Sequence, residues 1–248
     1  MGHEIRIQDL WDSSPSSGRA ARTEELSRFP ESAQRYLEHA IAPGTRLAHA
    51  VRLQMYGEIR LQRWLPFKAE EVIAWGRGFI WSATVKMFGM PIRGSDRLVD
   101  GQGSMRWGLF GLVPVMTAAG PDISRSAAGR VNAEAVWLPS TFYREDVSWS
   151  DHESGHPHVQ FTAHNETTEL ELAIDARGRL EFIRMSRWGN PDESEFRYVH
   201  FGAVVDEENT FAGYTIPTRL RIGWHVGTER FESEGEFFRA TVTSAVFR

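Results

Sequence analysis

The sequence predicts a mainly β protein (α+β) built on one large, strongly curved antiparallel sheet, a half-barrel, with a few helices covering its concave side. Apolar and polar residues alternate in short segments along most of the 248-residue chain. Turn dipeptides such as Asp100-Gly101 and Arg177-Gly178 separate these segments. Helical periodicity is rare, so few helices exist to carry parallel crossovers, and the strands are expected to pair antiparallel.

The first residues predict a tail that precedes the sheet. Residues 12–22 are rich in Ser, Pro and Gly and lack large apolar side chains, so residues 1–27 are expected to be flexible and residues 28–248 to form a single domain. Glu4 and Asp9 interrupt any apolar run that could serve as a secretory signal. The longest apolar stretch, residues 107–120, is too short to span a bilayer. We therefore expect a cytoplasmic protein without a transmembrane segment.

Two helices are predicted. The first, residues 30–42, has Pro30 in its first turn, apolar residues at helical spacing and Pro43-Gly44 at its end. The second, residues 123–137, begins after Asp122 as a possible N-cap and ends before Pro139. A sheet of nine or ten strands must close or bend around something, and the second helix is predicted to occupy the concave side.

The strand predictions follow the alternation of apolar residues. The first stripe runs through residues 51–61, and further strands are predicted at residues 79–88, 105–110, 159–163, 170–174, 180–185, 196–205, 214–224 and 231–247. The apolar segment LFGLVPVM, residues 109–116, is predicted to be an ordinary buried core strand. The alternative is an exposed apolar lip that touches a membrane or a partner protein.

Composition excludes several classes of function. The chain has no Cys, which excludes a disulfide scaffold, a Cys-ligated metal centre and a cysteine nucleophile. The formal net charge is −5 without a run of like charge, so no nucleic-acid partner is expected. Only Lys68 and Lys86 are lysines among 28 basic residues, a bias that fits either codon usage or bidentate recognition of carboxylates and phosphates.

One short string resembles a metal site. HESGH at residues 152–156 matches the H-E-x-x-H pattern of zinc metalloproteases, which requires both histidines on one helix. The glycine inside the string and Pro157 directly after it would break such a helix, so an exposed hairpin loop is predicted. Weak metal binding through His152, His156 and His158 is the alternative. We expect no resident metal and no cofactor.

The second helix carries the clearest chemical pattern. Arg130, Glu134 and Trp137 are spaced i, i+4 and i+7, so they share one helix face. A surface ion pair is one interpretation. The other places this face in the concavity, where burial beside Trp137 would raise the pKa of Glu134. Glu134 could then act as an acid or base, with Arg130 or Arg187 orienting an oxyanion.

Aromatic residues in the predicted strands indicate the lining of a ligand site. Each of them alone fits core packing, but together they could hold a flat or lipidic molecule. The predicted ligand-binding residues are Trp81, Trp107, Trp137, Arg187, Trp188, Tyr214 and Trp224.

Several short motifs occur together over about residues 28–247. They include Pro30 with Arg35-Tyr36, Gly78-Phe79-Ile80-Trp81, and Glu134-x-x-Trp137-Leu138-Pro139. The combination resembles a bacterial family known as a domain of unknown function. The resemblance implies a curved antiparallel sheet similar to that of periplasmic lipoprotein carriers, with helices over its open side, and it implies no activity.

Two functions remain as predictions. The first is the binding of an apolar or amphipathic small molecule between the curved sheet and helix 123–137. The alternative is a cofactor-independent enzyme, such as a cyclase, isomerase or hydrolase, that uses Glu134 as acid or base. The sequence makes no prediction of the oligomeric state.

Overall fold

The computed structural model describes residues 4–16, 18–151 and 156–248, and within them a single sheet of 13 antiparallel strands dominates. The first six strands are β1 (Ala50–Arg60), β2 (Trp64–Ala74), β3 (Gly78–Met87), β4 (Met90–Val99), β5 (Gln102–Leu109) and β6 (Val113–Ala119). The other seven are β7 (Ser148–Asp151), β8 (Pro157–Ala163), β9 (Glu166–Ile174), β10 (Leu180–Gly189), β11 (Arg197–Phe211), β12 (Tyr214–Trp224) and β13 (Glu236–Phe247).

The strand order shows that β1–β6 form one half of the sheet and β7–β13 form the other half. The order is β6-β5-β4-β3-β2-β1-β13-β12-β11-β10-β9-β8-β7, so β6 and β7 are the edges and the sheet does not close. The first and last strands meet at the centre, in a register from Val51 opposite Phe247 to Ile59 opposite Phe238. The mainly β, open antiparallel fold predicted from the sequence is therefore confirmed.

Helices are few. They are α1 (Ile7–Asp12), α2 (Glu31–Ala40) and α3 (Pro121–Ala133). Two 3-10 turns, Glu134–Trp137 and Pro139–Tyr143, continue the chain after α3. A further 3-10 turn spans Thr23–Arg28, and a π-helical turn spans Phe231–Gly235. The helix predicted for residues 123–137 is thus a shorter α-helix that tightens into 3-10 geometry where Glu134 begins.

The sheet curves around α3. At one side of the helix, the backbone N–H of Gly103 on β5 donates to Ser124 Oγ at 2.8 Å. At the other side, Asn132 Nδ2 donates to Thr168 Oγ1 on β9, also at 2.8 Å. Eight strands lie between β5 and β9 in the sheet order. One helix can bond to both strands only if the sheet bends around it, so α3 covers the concave side as predicted.

Two glycines allow this close approach. A Cβ on Gly103 would lie 2.6 Å from Ser124 Cα, and a Cβ on Gly129 of α3 would lie 2.8 Å from Arg187 Cγ on β10. Both distances are below van der Waals contact, so a side chain at Gly103 would push the helix backbone away from the sheet.

The segment predicted as a flexible tail holds a helix with a buried contact. Leu10 on α1 is fully buried and packs with Ala50, Val72, Ala74 and Ile80 on the convex face of the sheet. Because neighbouring strand residues point to opposite faces, the apolar residues that face away from the concave core need this cover. The described part of the tail therefore contains structured contacts, and one helix lies on the convex side.

The sequence predicted a buried core strand at residues 109–116, and this prediction is wrong. Its alternative, an exposed apolar lip, is what the structure has. Leu112 is 84% exposed and Phe110 is 52% exposed, and the side chains of Val113, Val115 and Met116 also face solvent. β6 is an edge strand that pairs only with β5, so no second neighbour covers it.

Candidate functional site

A cavity of about 230 Å³ lies between the concave face of the sheet and the end of α3. Its walls are mostly apolar side chains from the central strands, among them Met55, Leu220 and Phe238. Ile59 and Ile222 in this lining are half-buried, and we infer the mouth of the cavity on their side. The volume exceeds the roughly 150 Å³ that holds one benzene in an engineered protein cavity. The space therefore suits a small ligand.

Arg130 organises the polar wall of this cavity. Its guanidinium donates to three carboxylates: from Nε to Glu134 Oε1 at 2.6 Å, from Nη2 to Glu71 Oε1 at 3.1 Å, and from Nη1 to Asp96 Oδ2 at 3.2 Å. Its carbon Cζ lies 4.5 Å from the ring centroid of Phe79. The planar fork of an Arg is the side chain that can satisfy several carboxylates at once.

The three acids come from different elements. Glu134 follows α3, while Glu71 lies on β2 and Asp96 on β4. Glu71 is directly opposite Trp81 in the β2–β3 register, and its side chain is only 1% exposed. Asp96 also accepts a hydrogen bond from Trp107 Nε1 at 2.8 Å. Arg130 therefore ties the end of the helix to the sheet through charged contacts.

A second guanidinium, that of Arg187, lines the same cavity from β10. Its Nε donates to the carbonyl oxygen of Ser126 at 3.1 Å, and its Nη2 donates to Ser126 Oγ at 3.3 Å. The Cζ atom lies 4.4 Å from the ring centroid of Phe201 and 5.2 Å from that of Trp224. No carboxylate pairs directly with Arg187 in the described part of the chain.

The charges of this cluster balance only if one acid holds a proton. Burial raises the pKa of Glu71 well above its usual value, and Glu134 raises it further, against the effect of Arg130. Burial also raises the pKa of Glu134 and that of Asp96, opposed in both cases by Arg130. Burial lowers the pKa of Arg187 to about 9, so it stays cationic at neutral pH. Two cations and three carboxyls become neutral when Glu71, the most deeply buried acid, is protonated.

Three buried polar atoms in the cavity wall have no hydrogen-bond partner. They are Trp81 Nε1, Glu71 Oε2 and Glu134 Oε2. Buried polar groups are normally satisfied, because leaving one unpaired costs about 1–3 kcal/mol. A proton on Glu71 can join the two carboxyls, but it cannot serve the Trp81 N–H. This donor therefore has no acceptor among the described side chains and backbone groups.

Five of the predicted site residues line the cavity: Trp81, Arg130, Glu134, Trp137 and Arg187. The helix face predicted from the i, i+4, i+7 spacing is thus turned inward. The Nε1 of Trp137 donates to the Pro217 carbonyl oxygen at 3.0 Å, so this indole is held as part of the wall.

Trp107 and Trp224 pack behind side chains that line the cavity. The ring centroid of Trp107 is 5.6 Å from that of Trp81, and the ring of Trp224 packs on Phe201 at 5.2 Å. Both support residues that line the cavity, and neither lines it itself.

Trp188 and Tyr214 do not line the cavity. Trp188 packs beside the first turn of α3, where its Nε1 donates to Asp122 Oδ1 at 2.9 Å. The hydroxyl of Tyr214 donates to the Arg46 carbonyl oxygen and accepts from the Ala48 N–H, both at 2.8 Å. Tyr214 therefore anchors the chain that enters β1. Sequence alternation marks a residue as inward-facing, but it does not say which part of the interior it reaches.

Glu71 and Asp96 were missed by the sequence reasoning. Counting every second residue from Leu65 through Phe67 and Ala69 places Glu71 on the buried face of β2, which is a signal in the sequence. For Asp96 the signal is weaker, because β4 holds few apolar residues.

The histidine string stays without a metal assignment. His152 and Glu153 lie outside the described residues. His156 Nδ1 is 3.1 Å from Glu171 Oε1, and His158 Nδ1 is 3.0 Å from Glu169 Oε1. Over the described ranges, no three or more His, Cys, Asp or Glu side chains are grouped so that they could hold a metal ion.

The fold and the cavity define a class: an open, curved antiparallel sheet with a helix across its concave side and a ligand-sized space between them. A family described as a family of unknown function (DUF6920) matches residues 27–247, and the chain belongs to it. No curated protein matches the sequence. None of the helices among the described residues is both long enough and apolar enough to cross a membrane.

Three solved structures to which the chain is similar come from bacteria. A LolA superfamily protein from Nitrosomonas europaea has 8% identity and a TM-score of 0.45, covering 88% of this chain and 92% of that one. A putative outer membrane lipoprotein-sorting protein domain from Vibrio parahaemolyticus has 9% identity, a TM-score of 0.39, and coverage of 91% and 89%. A DUF1329 family protein from Desulfovibrio piger has 10% identity, a TM-score of 0.36, and coverage of 81% and 86%.

Proposed function

We propose that this protein binds a small, neutral, amphipathic molecule in the cavity between the sheet and the end of α3. The observation that carries the proposal is the buried N–H of Trp81, a residue that lines the cavity, because this N–H has no acceptor. Ligand sites commonly combine apolar walls with a few placed polar groups that fix orientation. The Trp81 N–H beside Glu71 and Glu134 gives this cavity that combination.

The polar groups favour one kind of ligand head. Trp81 Nε1 needs an acceptor, while Glu134 Oε2 has a lone pair that can accept from a ligand donor even when the Glu71 proton is directed at the other one. A hydroxyl group supplies both functions in one atom, and a primary amide does so in one planar group. A carboxylate supplies only acceptors and would add a negative charge beside two acids. The proposed ligand therefore carries a hydroxyl or amide on an apolar body.

The apolar body would extend toward the mouth. Ile59, Ile222 and Phe237 line the partly exposed side of the cavity, whereas Glu71 and Trp81 lie at its deeply buried side. A ligand with its head at Trp81 and its chain toward Ile59 would place each part against a wall of matching polarity. The loss of water from the apolar wall would supply most of the binding free energy.

Matched eight-carbon ligands test this proposal. Displacement of the neutral dye N-phenylnaphthylamine is measured with n-octanol, octanoate and n-octane. We expect n-octanol to displace the dye more strongly than octanoate does. Trp81→Phe should weaken n-octanol binding about tenfold, because the hydrogen bond to its oxygen is lost, and should leave n-octane binding almost unchanged.

Trp11→Phe is the control, because Trp11 lies on α1, packs against the convex side of the sheet and does not line the cavity. It should leave the displacement by n-octanol unchanged. If no compound displaces the dye, or if Trp81→Phe weakens n-octane as much as n-octanol, the polar head assigned to this site is wrong.

The enzyme alternative has an observation of its own. Burial raises the pKa of Glu134, with Arg130 opposing the rise, and the carboxyl faces a ligand-sized cavity. A carboxyl with a raised pKa can donate a proton near neutral pH, and Arg187 nearby can stabilise a developing oxyanion. This supports a cofactor-independent cyclase, isomerase or hydrolase.

One experiment distinguishes the binding function from the enzyme function. The bound molecule is extracted from the purified protein, identified by mass spectrometry and added back to the protein. An enzyme would convert the molecule, and Glu134→Gln would keep binding but lose turnover. Recovery of the unchanged molecule from both the wild type and Glu134→Gln would reject the hypothesis that the protein is an enzyme. The cytoplasmic location expected from the sequence stays a prediction, which fractionation of the native host would test.

A further inference from the structure

Apolar side chains project from the tips of three successive hairpins. Leu61 lies in the β1–β2 turn, Phe88 in the β3–β4 turn, and Phe110 and Leu112 in the β5–β6 turn. Phe88 is 75% exposed and Leu112 is 84% exposed. Single exposed apolar residues are ordinary, but a cluster of them on a folded protein indicates an interaction site. We call these four side chains the hairpin-tip surface.

The registers place these tips side by side. Arg60 pairs with Trp64 and Met87 pairs with Met90, so both turns lie at the same end of their strands. The Phe110 N–H donates to the Pro91 carbonyl oxygen at 2.9 Å, which places the third tip next to the second. The hairpin-tip surface is therefore continuous along one end of the sheet.

The charged side chains at the tips of these hairpins are all basic. Their segments, residues 60–64, 86–93 and 109–116, include Arg60, Arg63, Lys86 and Arg93 and contain no Asp or Glu. Salt bridges in the described part of the chain leave Arg63, Lys86 and Arg93 without an acidic partner. Instead, the Cζ atom of Arg63 lies 4.2 Å from the ring centroid of Phe88.

Ile59 and Ile222, on whose side the mouth of the cavity is inferred, lie at the same end. Ile59 comes one residue before the end of β1 and pairs with Phe238, near the start of β13. Ile222 lies near the end of β12, which is antiparallel to β13. The cavity mouth is thus beside the hairpin tips and away from the turns at residues 75–77 and 100–101.

We propose that the hairpin-tip surface docks on a lipid bilayer that contains anionic lipids. Apolar tips flanked by basic side chains match such an interface, because the tips enter the acyl boundary while the cations meet the head groups. A second copy of the chain fits less well, because two such ends would bring their unpaired cations together. Addition of a strand to β6 is also disfavoured, since Pro114 has no N–H to donate.

Vesicle co-sedimentation of the full chain tests this surface without any cavity ligand, so its outcome is separate from the binding proposal above. The vesicles are phosphatidylcholine alone or an equimolar mixture with phosphatidylglycerol. We expect binding to the mixed vesicles that weakens with added salt. The triple variant Phe88→Ser, Phe110→Ser, Leu112→Ser should bind at least about tenfold more weakly, and Lys86→Gln about fivefold more weakly.

Two exposed residues at the opposite end of the sheet serve as controls. Val246→Ser removes an exposed apolar side chain, and Arg177→Gln removes an exposed cation in the β9–β10 turn. Neither should change vesicle binding, and circular dichroism checks that every variant is folded. Absence of binding to the mixed vesicles, or equal binding by the triple variant, would overturn the proposal. So would a dimer in light scattering that the triple variant dissociates while vesicles remain unbound.

Discussion

Arg130→Met is expected to lower the free energy of unfolding by about 3–5 kcal/mol at neutral pH, the usual cost of removing one partner from a buried ionic network. Met keeps much of the apolar stem but leaves Glu71, Asp96 and Glu134 without the cation that donates to all three. Denaturation by urea, monitored by tryptophan fluorescence and circular dichroism, measures the difference.

The chain contains a matched control for this variant. Arg230 and Glu234 are also spaced i, i+4 and also 2.6 Å apart, but their side chains are 60% and 56% exposed, against 18% and 12% for Arg130 and Glu134. Exposed pairs of this kind contribute about 0.3–0.5 kcal/mol. Arg230→Met should therefore have a small effect. Equal losses in the two variants would show that burial of the Arg130 cluster does not determine its contribution.

The destabilisation by Arg130→Met should shrink in acid. Three carboxyls without a cation are costly only while they are ionised, and protonation removes the excess negative charge. Repeating the urea titrations from pH 7 down to about pH 4 checks this. A loss that is constant over that range would indicate that the variant disturbs packing, including the contact of Arg130 with the Phe79 ring.

Local patterns in the sequence predict part of this site and cannot predict the rest. The pairing of Arg130 with Glu134 follows from helical geometry, because residues four apart are neighbours on any helix. The contacts of Arg130 with Glu71 and Asp96 bring together residues from α3, β2 and β4. They depend on how far the sheet bends, and no local pattern encodes that bend.

Residues of the candidate site also make the strands that hold them harder to predict from the sequence. The inward positions of β4 include Gly94 and Asp96, where an ordinary core strand has large apolar residues. A Cβ on Gly94 would lie 2.5 Å from the Trp107 ring, and Asp96 accepts from the Trp107 N–H. The alternation that identifies strands is lost at the residues that build the site, so β4 was not predicted. The short β7 was missed for a different reason, since it has no buried face to impose alternation. β6 overlaps the strand predicted over residues 109–116, but it is exposed instead of buried.

The same limit applies to aromatic residues. Trp81 and Tyr214 both lie in alternating segments and both are buried. The Tyr214 hydroxyl is satisfied by backbone groups of Arg46 and Ala48, whereas the Trp81 N–H has no partner. Burial can be predicted from periodicity. Whether a buried polar atom is satisfied depends on distant segments, and this difference distinguishes Tyr214 from Trp81, the residue that we propose contacts a ligand.

Glu71→Gln is expected to stabilise the protein at neutral pH, increasingly so as the pH rises. Burial, aided by Glu134, raises the pKa of Glu71 in the folded state above its ordinary value of 4.5. An acid whose pKa is higher in the folded state than in the unfolded state contributes stability that is complete below the unfolded-state pKa. This stability is lost as the pH rises toward the folded-state pKa. Gln has no proton to lose. The free energy of unfolding of the wild type should therefore fall relative to Glu71→Gln by about 1.4 kcal/mol per pH unit from about pH 4.5 up to the folded-state pKa of Glu71, and stay level above it.

The amide of Gln can also reproduce the bonds of a protonated Glu71. Its oxygen can accept from Arg130 Nη2, as Glu71 Oε1 does at 3.1 Å, and its NH₂ group can donate toward Glu134. Glu70→Gln is the matched control, because Glu70 is the neighbouring acid on the more exposed face, 3.4 Å from Arg52. Urea titrations from pH 4 to pH 8 should show a slope difference for Glu71→Gln only. Parallel stability curves for Glu71→Gln and the wild type would mean that Glu71 is not the acid that holds the proton, and the charge balance of the cavity would have to be assigned to Glu134 or Asp96.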